Sequence, residues 1–198
     1  MKYLKLILMY ALVLTLSCCN NTAKTELKRT DADASRKAEK TPNDSTLLVV
    51  LESVKGDSAI VVNSETQRKY TLSVSALIRD GENRGSLTNN NTLAVMADLK
   101  KKEIYRSINL TELAGLWLFS DKSGNGVRFD ENGSASNIGQ VDDITLRTWR
   151  IKNGRLMLSY VQSDGSDYTE KEEEASIVML SHDQLIFLFH GNQYACSK

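Results

Sequence analysis

Turn signals recur at short, regular intervals through the second half of the chain. They fall at Glu131-Asn132-Gly133, Lys152-Asn153-Gly154, Ser163-Asp164-Gly165, His182-Asp183 and Gly191-Asn192. Asn-Gly and Asp-Gly between alternating apolar runs are the strongest short-range hairpin signal, because the tight turn needs positive φ. The runs between them read as strands over Gly126–Phe129, Ser134–Ile138, Ile144–Ile151, Arg155–Val161, Ala175–Leu180, Gln184–Phe189 and Gln193–Cys196. A further strand starts at Trp117, after a one-turn helix opened by Thr111 as N-cap. About eight strands at this spacing form an antiparallel meander. Closing such a meander into a barrel removes its exposed edges.

Upstream, Leu47–Leu51, Ala59–Val62, Tyr70–Val74, Thr92–Ala97 and Glu103–Ile108 alternate with period two. Arg79 to Asn91 reads as a long polar loop. Five short strands suggest a small barrel of the oligonucleotide/oligosaccharide-binding type or an SH3-like one, and the count does not separate them. The fold class is therefore all-β, with a small β-barrel module over 45–108 and an eight-stranded up-and-down barrel over 109–198.

The first residues carry a different message. Lys2 and Lys5 precede an apolar run from Leu6 to Leu16, which is shorter than the roughly 20 residues of a membrane-spanning helix. Ser17-Cys18-Cys19-Asn20 follows. This resembles a bacterial lipoprotein signal peptide over 1–17, whose cysteine takes a diacylglycerol and becomes the new N-terminus. Ser17 puts a small residue before Cys18, which is the favoured lipidation site, with Cys19 as the alternative. An ordinary secretory signal and an uncleaved anchor are the competing readings. Residues 18–44 then form a lipidated tether. Asn20 to Asn43 has one large aliphatic residue, Leu27, among mixed charges, too little to repay its ordering. As a coil it reaches roughly 27 Å; the competing reading is a weak surface helix. The resemblance implies a membrane partner through the N-terminal lipid and an outer-membrane location. No acidic cluster follows the cysteine, which favours the periplasmic face.

Gly115-Leu116-Trp117 resembles the Gly-x-Trp opening of lipocalins. Gly126-Val127-x-Phe129-x-x-x-Gly133-x-Ala135 and Trp149-Arg150-Ile151…Gly154-x-Leu156-x-Leu158 are similar to stretches of small bacterial lipocalin-like domains. The resemblance covers Leu110 to Cys196 and implies an up-and-down barrel that binds a small apolar molecule. Gly115 and Trp117 are its structural signature. Lipocalins commonly stack an arginine from the last strand over that tryptophan. Here Leu185 to Lys198 has no arginine, and Lys198 is its only basic residue. Short strands also imply a shallow barrel that its own side chains can fill.

Trp149, Tyr160, Phe129 and Phe187 are the candidate ligand-binding residues, each with core packing as the competing role. His182 within Ser181-His182-Asp183 and His190 before Gly191 read as turn residues. Contiguous Ser, His and Asp cannot converge as a triad. Asp142, Asp143, Asp164 and Asp167 lack calcium-loop spacing, and no Cys/His cluster has zinc spacing, so no metal and no cofactor is expected. Glu170 to Glu174 reads as a solvated strand end or loop, and Lys100 to Lys102 as a hairpin tip. Whichever of Cys18 and Cys19 is not lipidated could pair with Cys196, but the two lie at opposite ends of the chain, one on a flexible tether, so a disulfide is not expected.

The chain has 25 basic and 25 acidic residues. Loss of the signal leaves 23 against 25, which argues against nucleic acid as partner. No catalytic motif is present, so no enzyme is expected. The sequence supports a membrane-anchored envelope lipoprotein that binds a small apolar or amphipathic ligand in its barrel. The alternative is a scaffold protein that meets an envelope protein partner.

Overall fold

Period-two burial in the first module bends five strands around one apolar line. The computed structural model describes residues 44–121, 123–164 and 167–198, so the signal, Cys18, Cys19 and the tether to Asn43 lie outside the described residues. The module comprises β1 (Leu47–Lys55), β2 (Ser58–Asn63), β3 (Lys69–Ser73), α1 (Ser75–Arg79), β4 (Asn83–Arg84), β5 (Thr92–Asp98) and β6 (Glu103–Asn109). The sheet runs β3-β2-β1-β5-β6, and a parallel pairing of β3 with β6 at Ser73 and Glu103 closes the barrel. Val49, Leu51, Val61, Leu72, Leu93, Val95 and Ile104 fill it. The helix falls between the third and fourth barrel strands, and the third and fifth pair in parallel. That arrangement is the oligonucleotide/oligosaccharide-binding type, which settles the choice the strand count left open.

The stretch read as a loop from Arg79 to Asn91 is more structured at its start. Helix α1 ends at Arg79, and β4 pairs in parallel with β6. The helix has five residues and no side-chain N-cap, so nothing local announces it. Burial of Ala76 and Leu77 over the barrel end holds it instead.

The second module follows directly. Helix α2 (Leu110–Leu113) is capped by Asn109, whose Oδ1 accepts from the Glu112 amide at 3.0 Å. Then come β7 (Gly115–Phe119), β8 (Gly126–Phe129), β9 (Ala135–Ile138), β10 (Ile144–Lys152), β11 (Arg155–Asp164), β12 (Asp167–Leu180), β13 (Gln184–Phe189) and β14 (Asn192–Ser197). The order is β10-β11-β12-β13-β14-β7-β8-β9, antiparallel throughout. Between β9 and β10, Ser134 just before β9 bridges Thr148, and the Trp149 amide donates to the Gly133 carbonyl at 2.8 Å. Asn137 closes the remaining gap with its side chain. Its Nδ2 donates to the Ile144 carbonyl at 2.7 Å, and its Oδ1 accepts from the Leu146 amide at 2.9 Å.

Glu170 to Glu174 lies well inside a strand rather than at a strand end or in a loop. Strand β12 starts at Asp167 and pairs with β11 from Asp164 to Leu156. Cross-strand arginines make this tolerable: Glu172 binds Arg150 and Glu174 binds Arg155, each at 2.7 Å.

The two barrels form one unit. The tip of the β10–β11 hairpin docks on the first module. Asp44 Oδ1 accepts from the Asn153 and Thr46 amides at 2.9 Å, and Thr46 Oγ1 accepts from the Gly154 amide at 3.0 Å. Gly154 has φ of +67°, and a Cβ there would stand 2.6 Å from Met96 Cγ and 2.8 Å from Arg106 Cδ. Arg84 Nε reaches across to the Ile177 carbonyl at 2.7 Å. Burial alone would raise the Asp44 pKa. The Asn153 amide, Thr46 and Arg150 outweigh that and hold it below its ordinary value. A depressed carboxyl contributes stability that is complete above the unfolded-state value of about 3.9 and is lost as pH falls through the folded-state value. Urea unfolding at pH 5 and pH 3 is expected to show a smaller acid loss in Asp44→Asn than in the parent. An equal loss in both would remove Asp44 from the joint's acid response.

Candidate functional site

The base of the second barrel is set by its signature residues. Trp117 is fully buried, and its Nε1 donates to the Leu113 carbonyl at 2.7 Å, tying β7 to α2. Lys198 Nζ lies 4.6 Å above the Trp117 ring and donates to the Glu112 carbonyl at 2.7 Å. The missing last-strand arginine is thus replaced by the terminal lysine as a cation on the indole. Burial lowers the Lys198 pKa, against a raising effect of Glu112. Gly115, at φ +127°, leaves the space: a Cβ there would meet Lys198 Cε at 3.2 Å.

All four candidate ligand residues are in the core. Phe129, Phe187 and Tyr160 are 0%, 1% and 2% exposed, and Trp149 is 8% exposed. Trp149 stands edge-on to Phe129 at 6.0 Å and donates Nε1 to the Asp130 carbonyl at 2.8 Å. Tyr160 packs edge-on to Phe189 at 5.4 Å, and its hydroxyl donates to Glu173 at 3.1 Å. His190, in a turn as expected, has Nδ1 3.5 Å from that hydroxyl and 3.4 Å from the same carboxylate. Burial first, and then Glu173, raise the Tyr160 pKa. The sequence gives no hint of this trio, whose members come from three different strands or turns.

The loop 139–143 sinks Val141 into the core. Asp142, at φ +45°, accepts from the Tyr194 hydroxyl and from Asn192 Nδ2, the latter at 3.2 Å. Tyr194 stacks on Phe187 at 5.1 Å and leans on Phe119 at 5.1 Å. Beside this ladder is a cleft of about 520 Å³, with Phe119, Tyr194, Asn125, Gln140 and Asp142 in its wall. Burial, then the bond to Asp142, push the Tyr194 hydroxyl up to about 12. The four main surface clefts of the described residues have none of Trp149, Tyr160, Phe129 and Phe187 in their walls.

The other candidates disperse. Ser181 Oγ binds Asp183 at 3.0 Å and accepts from the Gln184 amide at 3.1 Å, the bonding of a turn. Asp142 is held by Tyr194 and Asn192, and among the described residues no group of His, Cys, Asp or Glu is placed to hold a metal ion. Cys196 is a buried free thiol, pushed up to about 12 by burial. Such a thiol is a poor nucleophile at neutral pH.

The geometry defines a small up-and-down β-barrel closed over an aromatic core. Residues 109–196 match the lipocalin-like family model, and this C-terminal domain is lipocalin-like. Among solved structures, the chain is similar to a lipocalin-like protein from Bacteroides thetaiotaomicron. The identity is 22%, covering 43% of this chain and 97% of that one, with a TM-score of 0.36. No curated protein sequence matches.

Three outcomes follow for this core. In the folded protein at pH 8, Cys196 should resist a thiol-modifying reagent and react fully in urea; rapid native labelling would contradict its burial. Lys198→Ala should lower unfolding stability by about 0.5–2 kcal/mol through loss of the cation on Trp117. Trp117→Ala should cost more, about 3–5 kcal/mol, in the same urea titrations.

Proposed function

We propose that the protein is a non-catalytic envelope lipoprotein, anchored through Cys18 (or Cys19) on the periplasmic face of the outer membrane, that acts by meeting a protein partner. The observation that carries this reading is the filled barrel: the aromatic side chains that would line a ligand cup are packed against one another and hydrogen-bonded. An eight-stranded barrel has an interior just wide enough for its own inward side chains to fill. Apolar surface is found instead on the outside. Leu116 and Leu118 of β7, Val178 and Met179 of β12, and Leu188 of β13 are 38–52% exposed. Val178, Met179 and Leu188 lie on the paired strands β12 and β13, with Leu116 and Leu118 beyond β14 on β7, and exposed apolar side chains of this kind suit a protein contact.

A second reading has one observation in its favour. The cleft walled by Phe119 and Tyr194 offers an aromatic face beside amide groups, and a small amphipathic ligand fits there without entering the core.

Native mass spectrometry of the intact protein extracted from its host membrane tests both. The expected result is an acylated N-terminus and no other bound mass. A retained small molecule that is lost in Tyr194→Ala would overturn the first reading in favour of the second. An unacylated N-terminus would overturn the anchor.

A further inference from the structure

The joint between the barrels has a chemistry that neither barrel has alone. A cleft of about 230 Å³ opens there, lined by Glu82, Arg84 and Arg106 from the first module and by Gly154, Arg155 and Glu174 from the second. Three guanidinium groups face it with two carboxylates. Arg106 gives Nε to Glu82 at 2.9 Å, and Arg155 gives one terminal nitrogen to Glu174. Arg84 has no carboxylate: Nε binds the Ile177 carbonyl, and one terminal nitrogen binds the Gly81 and Asn83 carbonyls at 2.5 and 3.3 Å.

A guanidinium has five N–H donors in a rigid fork. Most of these are unused here. Both terminal nitrogens of Arg106, one of Arg84, and Nε and one terminal nitrogen of Arg155 have no acceptor among the described residues. Two of the three side chains are also held in place before any ligand arrives. Arg106 runs against Gly154, where even a Cβ would collide with it, and Arg84 is fixed by the backbone of β12. Preorganised donors lose little entropy on binding.

We infer that this inter-barrel cleft is a binding site for a singly charged oxyanion group, a carboxylate or a phosphodiester, carried by a small molecule. Charge sets the valence: three guanidiniums against two carboxylates leave one positive charge for a monoanion to balance. Geometry sets the group, because planar forks pair with oxyanions through two parallel bonds. Size sets the ligand, since the cleft is smaller than the roughly 300–1,000 Å³ of sites for drug-sized molecules. A sugar acid or a headgroup-sized phosphodiester fits that description. The inference does not rest on the protein-partner reading above, because it is argued from the arginines of the joint alone.

The test is an NMR titration of the intact protein in detergent micelles, following arginine Nε–H signals. The probes are glucuronate for the carboxylate, glycerophosphoglycerol for the phosphodiester, and glucose as the neutral control. Saturable shifts of Arg84, Arg106 and Arg155 with either acid, and none with glucose, are expected; the acid that binds more tightly names the group. Arg155→Gln should weaken binding about fivefold or more. Glu82→Gln should strengthen it, because it frees Arg106 and removes a negative charge. A damaged fold would weaken both variants, so the opposite signs report the site itself. Linear shifts spread over Arg128 and Arg150, equal binding of glucose, or variants that bind as the parent does would overturn the inference.

Discussion

The docking of one hairpin tip onto one strand end governs much of this molecule. Asn153 and Gly154 present two backbone amides to Asp44 and Thr46, and the absence of a side chain at Gly154 lets Met96 and Arg106 close over the turn. A turn that is merely tight needs glycine for its positive φ. This one needs it twice, because the neighbouring barrel occupies the space a Cβ would take. Once the tip is seated, Arg84 meets the β12 backbone, and Ser86 gives its amide and hydroxyl to Glu112. Two small barrels, each with a modest core, thereby share polar bonds that neither would make alone.

The lipocalin-like barrel is organised around its signature tryptophan. Trp117 closes the base as its signature implies, with Lys198 in place of an arginine. The aromatic residues above it belong to the buried core. Trp149 and Tyr160 satisfy their polar atoms on the chain itself, and with Phe129 and Phe187 they pack edge-on or stacked. Barrel cores and barrel sites draw on the same residue types, so the choice between them is one of volume, not of identity.

Much of the architecture was legible. The hairpin turns, the strand runs of both modules and the Gly-x-Trp opening are written as local patterns, since period-two alternation and positive-φ pairs are properties of neighbouring residues. Helix α1 was not legible, because five residues without a cap have no local signature. The strand identity of Glu170 to Glu174 was hidden for a related reason. Five consecutive charged residues look solvated until Arg150 and Arg155 are brought beside them by β10 and β11.

The sequence by itself determined that the chain is all-β, that its second half is an up-and-down meander with a lipocalin-like opening, and that Trp117 marks its base. These follow from near neighbours in the chain. Only the tertiary structure decided that the aromatic residues fill the barrel, that Lys198 covers the indole, and that three arginines from separate strands share one cleft. Those outcomes depend on distances between residues tens of positions apart, and no local pattern encodes how much space remains when two barrels close and meet.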